Sequence, residues 1–278
     1  MIEYLYLGRV AYDEALALQN ELVELRRAGR IGNTLLLLEH PPVLTLGRNA
    51  DRSNVLASDE MLQRRGVTLH HINRGGDVTY HGPGQLIGYP IFDLRSLRAA
   101  SGNRLGPVDF VRLMEEALIR LCGTYGVRAG RIAGLTGVWC GPAAGETGAD
   151  RKIAAIGIHV SRGITSHGFA FNLTTNLSDF LLINPCGITD KPVTSLNLEL
   201  DDSTHTQPAR LPTLEAAANE AARQFGIVFA QPILAVESLH ALRARAAQPY
   251  DFPAQDTPMQ PPREVEQLRG QPHRPVRA

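Results

Sequence analysis

The sequence predicts an α/β protein of the α+β type, in which a mixed β-sheet is flanked by helices. Short apolar runs typical of strands come in groups, and amphipathic segments with helical spacing separate these groups. The strands and helices do not alternate regularly as they would in a series of βαβ units, which favours a mixed sheet with helices packed on it. The apolar fraction of 44% is ordinary for a globular protein with a core.

The first quarter of the chain opens with a long helix. Its acidic side chains come early and its arginines late, which suits the helix dipole, and Gly29 follows the last turn. Pro41 and Pro42 interrupt the apolar run that comes next and divide it into two strands. The predicted elements are a helix at 11–28, strands at 34–39 and 43–46, a short helix that Ser58 caps and Gly66 ends, and a strand at 67–73.

The remainder of the chain continues with strands and three more helices. Pro107 suits the first turn of a helix, where its missing N–H leaves no bond unmade, and Gly226 suits a helix end. A three-residue connection at 161–163 joins two of the strands. The predicted elements are a glycine-rich loop at 74–84, a strand at 85–94, a helix at 107–125, strands at 134–139, 153–160 and 164–172, and helices at 213–225 and 236–246.

The chain divides into one domain at residues 1–246 and a tail at residues 247–278. Seven of the eighteen prolines lie in 249–278, where few large apolar residues remain, so the tail is predicted to be disordered. Apart from Pro142, residues 141–150 carry no apolar side chain larger than alanine, and a flexible loop is expected there.

Composition excludes several classes of function. The formal net charge is zero and the pI is near neutral, which gives no support to binding of nucleic acid or of a membrane surface. Three cysteines without a paired framework fit a reducing compartment. The N-terminal residues lack the pattern of a signal peptide, and no apolar run is long enough to cross a bilayer, so a cytoplasmic protein is expected.

Cys186 and Lys152 are the most informative pair of residues. Cys186 lies between Pro185 and Gly187, and this places its thiol on a turn that can present it to a substrate. Cysteine reacts as the thiolate, which a nearby ammonium favours, so the pair suggests acyl transfer through a thioester. Spacing alone leaves a buried structural cysteine as the alternative. We interpret Cys122 as a core residue of the helix at 107–125, and Cys140 as a structural residue that ends a strand.

The second informative segment is residues 74–85, RGGDVTYHGPGQ. Their glycines allow close approach of a backbone to a ligand, and tyrosine and histidine add polar groups. The spacing is not that of a dinucleotide-binding or phosphate-binding loop. From the residues alone, a plain hairpin loop and a binding loop both stay open.

Taken together, four segments resemble the lipoyl(octanoyl) transferase family closely. The resemblance extends, with matching order and spacing, through roughly residues 4–230. The loop at 141–150 is long for that family, and the tail has no counterpart in it. The four segments are residues 74–85, RKIAAIG at 151–157, HGFAFN at 167–172 and NPCGI at 184–188.

This resemblance implies a fold, a reaction and a set of site residues. The fold would be that of the catalytic domain of biotin and lipoate protein ligases. The reaction would move an octanoyl group from octanoyl-acyl carrier protein to a lysine of a lipoyl domain. Acceptors would be the E2 subunits of 2-oxo-acid dehydrogenases and the glycine cleavage H protein, and no cofactor is implied. Cys186 would be the thioester nucleophile, and Lys152 would lower its pKa. The segments that contact substrate would be Arg74, Gly75, Gly76, Asp77, Val78, Thr79, Tyr80 and His81; Ala155, Ile156 and Gly157; and Gly168, Phe169 and Ala170.

The chemistry of these residues agrees with that reaction. Exchange of one thioester for another is nearly isoenergetic and needs no ATP. Backbone N–H groups near Cys186 or in residues 74–76, or the His81 side chain, could stabilise the oxyanion. The acyl chain needs an apolar slot, for which four residues that could equally belong to the core are candidates, namely Ile156, Ile158, Phe169 and Leu173.

Alternatives from other classes remain at this point. A ligase of the same fold would activate a free acid with ATP, and a non-enzymatic acyl-binding protein would need neither Cys186 nor Lys152. Neither HExxH nor CxxC spacing supports a metal site built from His81, His159, His167 and Cys186. From the residues alone, His40 fits a strand-end surface residue, although the resemblance implies that its EHPP stretch lies near the site. His70 and His159 fit solvent-facing positions, and His167 fits either a site or a structural role.

Overall fold

The structure is a computed structural model that describes residues 1–98, 102–142, 147–184, 191–201 and 211–247. The strands are β1 Ile2–Arg9, β2 Asn33–Glu39, β3 Val43–Leu46, β4 Thr68–His71, β5 Val78–His81, β6 Gln85–Ile91, β7 Gly130–Ile132, β8 Leu135–Cys140, β9 Arg151–Ser161, β10 Ile164–Asn172 and β11 Ile233–Ala235. The helices are α1 Tyr12–Arg27, α2 Asp59–Arg64, α3 Pro107–Thr124, α4 Leu196–Asp201, α5 Leu214–Val228 and α6 Leu239–Ala247.

Two sheets form from these strands. The larger has eight strands in the described part of the chain, in the order β11-β1-β2-β6-β10-β9-β8-β7. It is mixed, because β1 runs parallel to both β2 and β11 whereas the other pairs are antiparallel. The smaller sheet has the order β4-β3-β5, with β3 parallel to β4 and antiparallel to β5.

Helices cover both faces of the larger sheet. Strand β2 is buried throughout, because Leu36 and Leu38 pack under α1 while Leu35 and Leu37 join the core with α3 and α5. A continuous apolar run is typical of a strand that is covered on both sides. The smaller sheet has its own apolar cluster, which includes Tyr80 and Phe180.

The predicted architecture and most predicted elements are confirmed. Ser58 caps α2 by accepting a hydrogen bond from the Met61 N–H, and Pro107 opens α3. Cys122 is buried in the main core, and Cys140 ends β8 and is also buried. In the described part of the chain, no helix is long and apolar enough to cross a membrane.

Several elements differ from the prediction. Residues 78–81, assigned to a loop, form β5, because they pair with β3. Helix α5 continues past Gly226 to Val228, because this glycine allows close packing: a Cβ at this position would lie 2.4 Å from Ile233 Cγ1. Helix α6 begins at Leu239, because Val236 still donates a hydrogen bond to the Tyr4 carbonyl of β1. Strands β1, β7 and β11 and helix α4 were not predicted from the sequence.

Two predictions concern residues that are only partly described. Residues 141, 142 and 147–150 of the predicted flexible loop are in neither a helix nor a strand, and residues 143–146 lie outside the described part. The predicted tail lies outside it from residue 248 onward.

Candidate active site

A cavity of about 570 Å³ lies over β9 and β10, beside the loop that precedes β5. Three of the segments that the sequence analysis assigned to the substrate meet here. The lining residues are Tyr12, Ile72, Arg74, Gly75, Gly76, Asp77, Val78, Thr79, His81, Tyr89, Val111, Gly134, Leu135, Thr136, Lys152, Ala155, Ile156, Gly157, Ile158, His167, Gly168, Phe169, Ala170, Phe180 and Val193.

Small residues make room for the cavity on one face of the sheet. Ala155 and Gly157 of β9 lie directly opposite Ala170 and Gly168 of β10, so all four share a face. Gly75 donates its N–H to the Ile158 carbonyl at 2.9 Å, and this bond holds the loop against β9. A Cβ on Gly157 would lie 2.8 Å from the Gly75 carbonyl oxygen. The loop therefore packs directly on the strand, and only glycine fits at 157.

Lys152 reaches the cavity from the start of β9. Its Nζ lies 4.5 Å from the centroid of the Trp139 ring, a cation–π contact with the neighbouring strand β8. Gly137 of β8 has a φ of +126°, and a Cβ there would lie 3.4 Å from Lys152 Cε and 2.7 Å from the Ala154 carbonyl oxygen. Glycine at 137 thus leaves space for the lysine side chain.

The chain on either side of residues 185–190 is anchored at this cavity. Asn184 donates its N–H to the Asn54 carbonyl at 2.7 Å. Beyond the gap, Lys152 donates its N–H to the Pro192 carbonyl at 2.8 Å, and Thr194 donates to the Lys152 carbonyl at 2.9 Å. Cys186, the predicted nucleophile, lies outside the described residues.

Arg74 is held by a directional hydrogen-bond network. Its guanidinium donates to Thr45, through Nη2 to the carbonyl at 2.7 Å and to Oγ1 at 2.9 Å. His81 Nδ1 lies 2.9 Å from Gln85 Oε1, an acceptor, so Nδ1 carries the proton. His81 Nε2 is then left to accept from the Thr45 hydroxyl at 3.4 Å. Gln85 Nε2 in turn donates to Asn172 Oδ1 at 2.9 Å.

His81 is therefore a neutral, fixed group. Burial is the main cause that lowers its pKa to about 3, and nearby His40 acts in the same direction. Both ring nitrogens are engaged within this network, which favours a role in positioning Arg74 over donation to an oxyanion.

Tyr12 and Tyr89 line the cavity, and the ring of His40 packs against both of them. His40 is fully buried, so the expectation of a surface residue is wrong: its Nδ1 donates to the Val10 carbonyl at 2.7 Å, and its Nε2 accepts from the Tyr89 hydroxyl at 2.7 Å. Burial lowers the pKa of His40 to about 4. Tyr12 packs edge-on against His40 at 5.1 Å between ring centroids, and burial raises its pKa to about 12.

The other histidines take three different positions. His167 is buried and lines the cavity, and its Nε2 donates to Asn73 Oδ1 at 2.7 Å. Burial and the nearby Arg74 lower its pKa to about 4. His70 is half-buried, because its ring packs 5.0 Å from that of Tyr12, and His159 is half-buried on β9. Neither fully faces solvent.

The predicted substrate residues divide into those that line the cavity and one that does not. Tyr80 is absent from the lining: its hydroxyl donates to Asp179 at 2.9 Å, and its ring packs on Phe180 in the core of the smaller sheet. Of the apolar candidates, Leu173 belongs to the main core, whereas the other three line the cavity.

Other lining residues were not identified from the sequence. Most of them come from α1, β6, α3 and the start of β8, and Ile72, Phe180 and Val193 lie outside these elements. No local pattern distinguishes them from core residues. Tyr12, Tyr89, Val111 and Leu135 are the clearest examples.

The two described cysteines are unsuited to nucleophilic attack. Burial is the main cause that raises the pKa of Cys140 to about 12, with the nearby Glu199 carboxylate adding to it. Burial raises the pKa of Cys122 as well. Thiols held protonated in this way are poor nucleophiles. Within the described ranges, no group of three metal-ligating side chains comes together.

Residues 11–217 match the family model of the lipoyl protein ligase A/B catalytic domain. An octanoyltransferase of Acidobacterium capsulatum is 61% identical over 240 residues, which are 86% of this chain and 94% of that protein. An octanoyltransferase of Koribacter versatilis is 52% identical over 254 residues, 91% of this chain and 93% of that protein.

Two solved structures share the fold at low sequence identity. A bi-partite lipoate protein ligase from Thermoplasma acidophilum, solved in work that includes its E2 lipoyl domain, has a TM-score of 0.60 at 15% identity over 88% of this chain and 91% of that one. A lipoate-protein ligase A bound with ATP has a TM-score of 0.60 at 16% identity, covering 88% and 93%.

Proposed function

Because the chain belongs to the lipoyl protein ligase A/B catalytic domain family, and within it to the octanoyltransferases, we propose that it transfers octanoyl groups from octanoyl-acyl carrier protein to lipoyl domains. The enzyme is an acyltransferase of lipoate biosynthesis. Its proposed acceptors are the lysines of lipoyl domains in E2 subunits of 2-oxo-acid dehydrogenases and in the glycine cleavage H protein.

The observation that carries this proposal is the meeting of Lys152 with the three binding segments in one cavity. The anchors at Asn184 and at 192–194 support a position for Cys186 at the same place, because only a short stretch of chain connects them. The apolar lining from Ile156, Ile158 and Phe169 supports an acyl chain as the ligand.

In the first step, the Cys186 thiolate attacks the carbonyl carbon of the octanoyl thioester on the carrier protein. A new C–S bond forms, the bond to the carrier sulfur breaks, and the Lys152 ammonium gives its proton to the departing thiolate. An ammonium beside the cysteine favours the thiolate before attack. One thioester replaces another, so the step requires no ATP.

In the second step, the acceptor lysine attacks the enzyme thioester. A C–N bond forms and the C–S bond to Cys186 breaks, which regenerates the thiolate. The acceptor ammonium loses two protons in forming the amide: Lys152, now neutral, takes one and solvent takes the other. A lysine in a cavity can act as a base in this way because its pKa shifts readily.

Replacement of Cys186 tests the proposal. Cys186→Ser keeps the size of the side chain but offers a hydroxyl that is far less acidic than a thiol, so transfer should be abolished while the melting temperature is unchanged. Purified wild type and variant are incubated with octanoyl-carrier protein, and intact mass spectrometry detects the acyl adduct. Transfer to the lipoyl domain by the variant at the wild-type rate would refute the assignment.

The same assay separates transfer from ligation. A ligase would need free octanoate and ATP, whereas the proposed enzyme needs only the carrier thioester. Full activity in ATP-free buffer is expected, and a strict requirement for ATP would favour a ligase.

A further inference from the structure

The charges around the cavity are unbalanced with respect to its proposed substrates. Arg74 and Lys152 contribute cationic side chains to the lining, and among the described lining residues Asp77 is the only carboxylate. The acceptor of the proposed reaction is a lysine side chain, which arrives as a cation. Lys152 is neutral at this stage of the proposed reaction, but the Arg74 guanidinium remains charged, so a carboxylate nearby would favour binding of the ammonium.

Asp77 has one carboxylate oxygen engaged and one unused. Oδ2 accepts a hydrogen bond from Asn54 Nδ2 at 2.6 Å. Oδ1 is buried, and it has no hydrogen-bond partner within the part of the chain that the structure describes. A buried oxygen left without a donor is costly, so such a group in a cavity indicates a position where a ligand or a water donates.

Asp77 is linked through Asn54 to the described residue that precedes the proposed nucleophile by two positions. The Asn54 residue that fixes Asp77 Oδ2 also accepts, through its carbonyl, the N–H of Asn184 at 2.7 Å. One residue thus connects Asp77 to the position two before Cys186. The backbone of Asp77 is fixed as well, because its carbonyl accepts from Gly47 N–H at 3.1 Å.

We propose that Asp77 binds the side-chain ammonium of the acceptor lysine before it attacks the thioester, an inference that rests on the proposed function. An acyl chain against Asp77 would leave Oδ1 without a donor, whereas an ammonium supplies three N–H donors and a positive charge. Asp77 lies in a segment that was predicted from the sequence to contact substrate, without distinction between acyl chain and acceptor. The proposal makes Asp77 a contact of the acceptor lysine, while the apolar lining residues contact the acyl chain.

Asp77→Asn separates the two half-reactions. Asparagine has the same shape and can still accept from Asn54, but it carries no charge. The octanoyl thioester is first formed on the full-length enzyme from octanoyl-carrier protein, and the rate of its decay is then measured with a lipoyl domain or with hydroxylamine. Thioester formation and decay with neutral hydroxylamine should match wild type, whereas decay with the lipoyl domain should slow by roughly 10- to 100-fold at subsaturating acceptor.

Two further variants control the measurement. Asp77→Glu keeps the charge and should recover much of the lost rate with the lipoyl domain. If Asp77→Asn does not fold, Asp77→Ala replaces it as the variant without the charge. Asp59→Asn removes an exposed carboxylate outside the cavity and should change neither rate.

The results have distinct meanings. If the octanoyl thioester on Asp77→Asn decays at the wild-type rate with the lipoyl domain, the inference is overturned. That result would indicate that a water molecule binds at Oδ1. Equal slowing with both nucleophiles would also overturn it, because that indicates a structural role. Absence of any octanoyl thioester on the wild-type enzyme, seen before an acceptor is added, would instead refute the proposed function.

Discussion

The buried histidines around the cavity act as neutral hydrogen-bonding groups with fixed tautomers. In His40 and in His81, one ring nitrogen donates to an oxygen that can only accept, and the other nitrogen is left to accept from a hydroxyl. Burial lowers the pKa of these two rings by more than the hydrogen bonds to Val10 and Gln85 raise it. Burial therefore keeps both rings uncharged in the folded protein.

The neutrality of His40 predicts a loss of stability in mild acid. Burial lowers its pKa from 6.5 to about 4, so between these pH values the unfolded chain takes up a proton that the folded protein does not. The stabilisation is complete above pH 6.5 and is lost as pH falls toward 4, at about 1.4 kcal/mol per pH unit for one such residue. The free energy of unfolding is measured by urea denaturation from pH 8 to pH 5. In His40→Gln it should fall less steeply with decreasing pH than in wild type, and the difference in slope should correspond to the uptake of about one proton.

Tyr89→Phe is the matched control for this measurement. It removes the hydroxyl that donates to His40 but keeps the imidazole, so it should lower stability at every pH and retain the wild-type slope. If the slopes of wild type and His40→Gln coincide, His40 does not contribute to the acid sensitivity.

The loop at 74–77 is hydrogen-bonded to strand β9. Strand β8 pairs with β9 only as far as Ala154, and at Ile158 the β9 carbonyl instead accepts a hydrogen bond from the Gly75 N–H of the loop. The backbone of residues 47–49 holds the loop from the other side through hydrogen bonds to Arg74, Gly76 and Asp77. The cavity opens between these contacts, so its shape depends on the contact of the loop with Gly157.

Gly157→Ala should therefore impair acylation more than it impairs folding. The added Cβ would meet the Gly75 carbonyl oxygen at 2.8 Å and displace the loop. Thioester formation on Cys186 should slow by roughly 10- to 100-fold, as expected for misplaced binding groups. Gly130→Ala, in strand β7, meets nothing within 4 Å and should acylate at the wild-type rate. Intact mass spectrometry measures acylation, and thermal melting measures stability. If the Gly157→Ala variant is acylated at the wild-type rate, the loop does not contribute to binding of the acyl group.

Periodicity predicted most of the elements. Of those that were missed, β1 has eight residues, and the others are short or depend on tertiary contacts. Strands β7 and β11 have three residues each, and helix α4 has six, so none carries enough turns or alternations to be recognised. Gly226 resembled a helix end because local rules cannot show that Ile233 packs against it. Strand β5 was hidden in a glycine-rich stretch, since its pairing with β3 is the only contact that distinguishes it from a loop.

The residues of the candidate site also differ in whether a local sequence pattern marks them. Lys152 and the glycine-containing segments that line the cavity were identified because motifs mark them in the sequence. Tyr12, Tyr89 and Val111 were missed because the fold brings them together from a helix, a distant strand and a second helix. His40 was placed on the surface because its partners, Val10 and Tyr89, lie 30 and 49 residues away in sequence.

At the level of the whole chain, the domain is closed by its last described helix. Leu242 and Ala246 of α6 are buried in the core beneath α1, and Arg245 forms an ion pair with Glu3 of β1 at 2.7 Å. These contacts tie the C-terminal end of the domain to its first strand.

A chain that ends at Gln248 should therefore fold and work as the full-length protein does. It keeps all of α6, and the proline-rich residues beyond it carry few large apolar groups to bury. Thermal melting and octanoyl transfer should match the full-length protein. A chain that ends at Ser238 loses the buried Leu242 and should melt roughly 10 °C lower. A large loss of stability or transfer in the longer truncation would show that the tail binds to the domain.

The pairing of β1 with β11 also bears on the order of events during synthesis. Ile2 of β1 lies opposite Ile233 of β11. The outer edge of β1, which is synthesised first, is therefore covered only after β11 has been synthesised. Strand β2 can pair with β1 early, because only a helix separates them in sequence. On the ribosome, the nascent sheet therefore keeps an open edge at β1 until more than four-fifths of the chain has been translated. The sheet is therefore completed late in synthesis, and chaperones that shield strand edges would act on β1 during that interval.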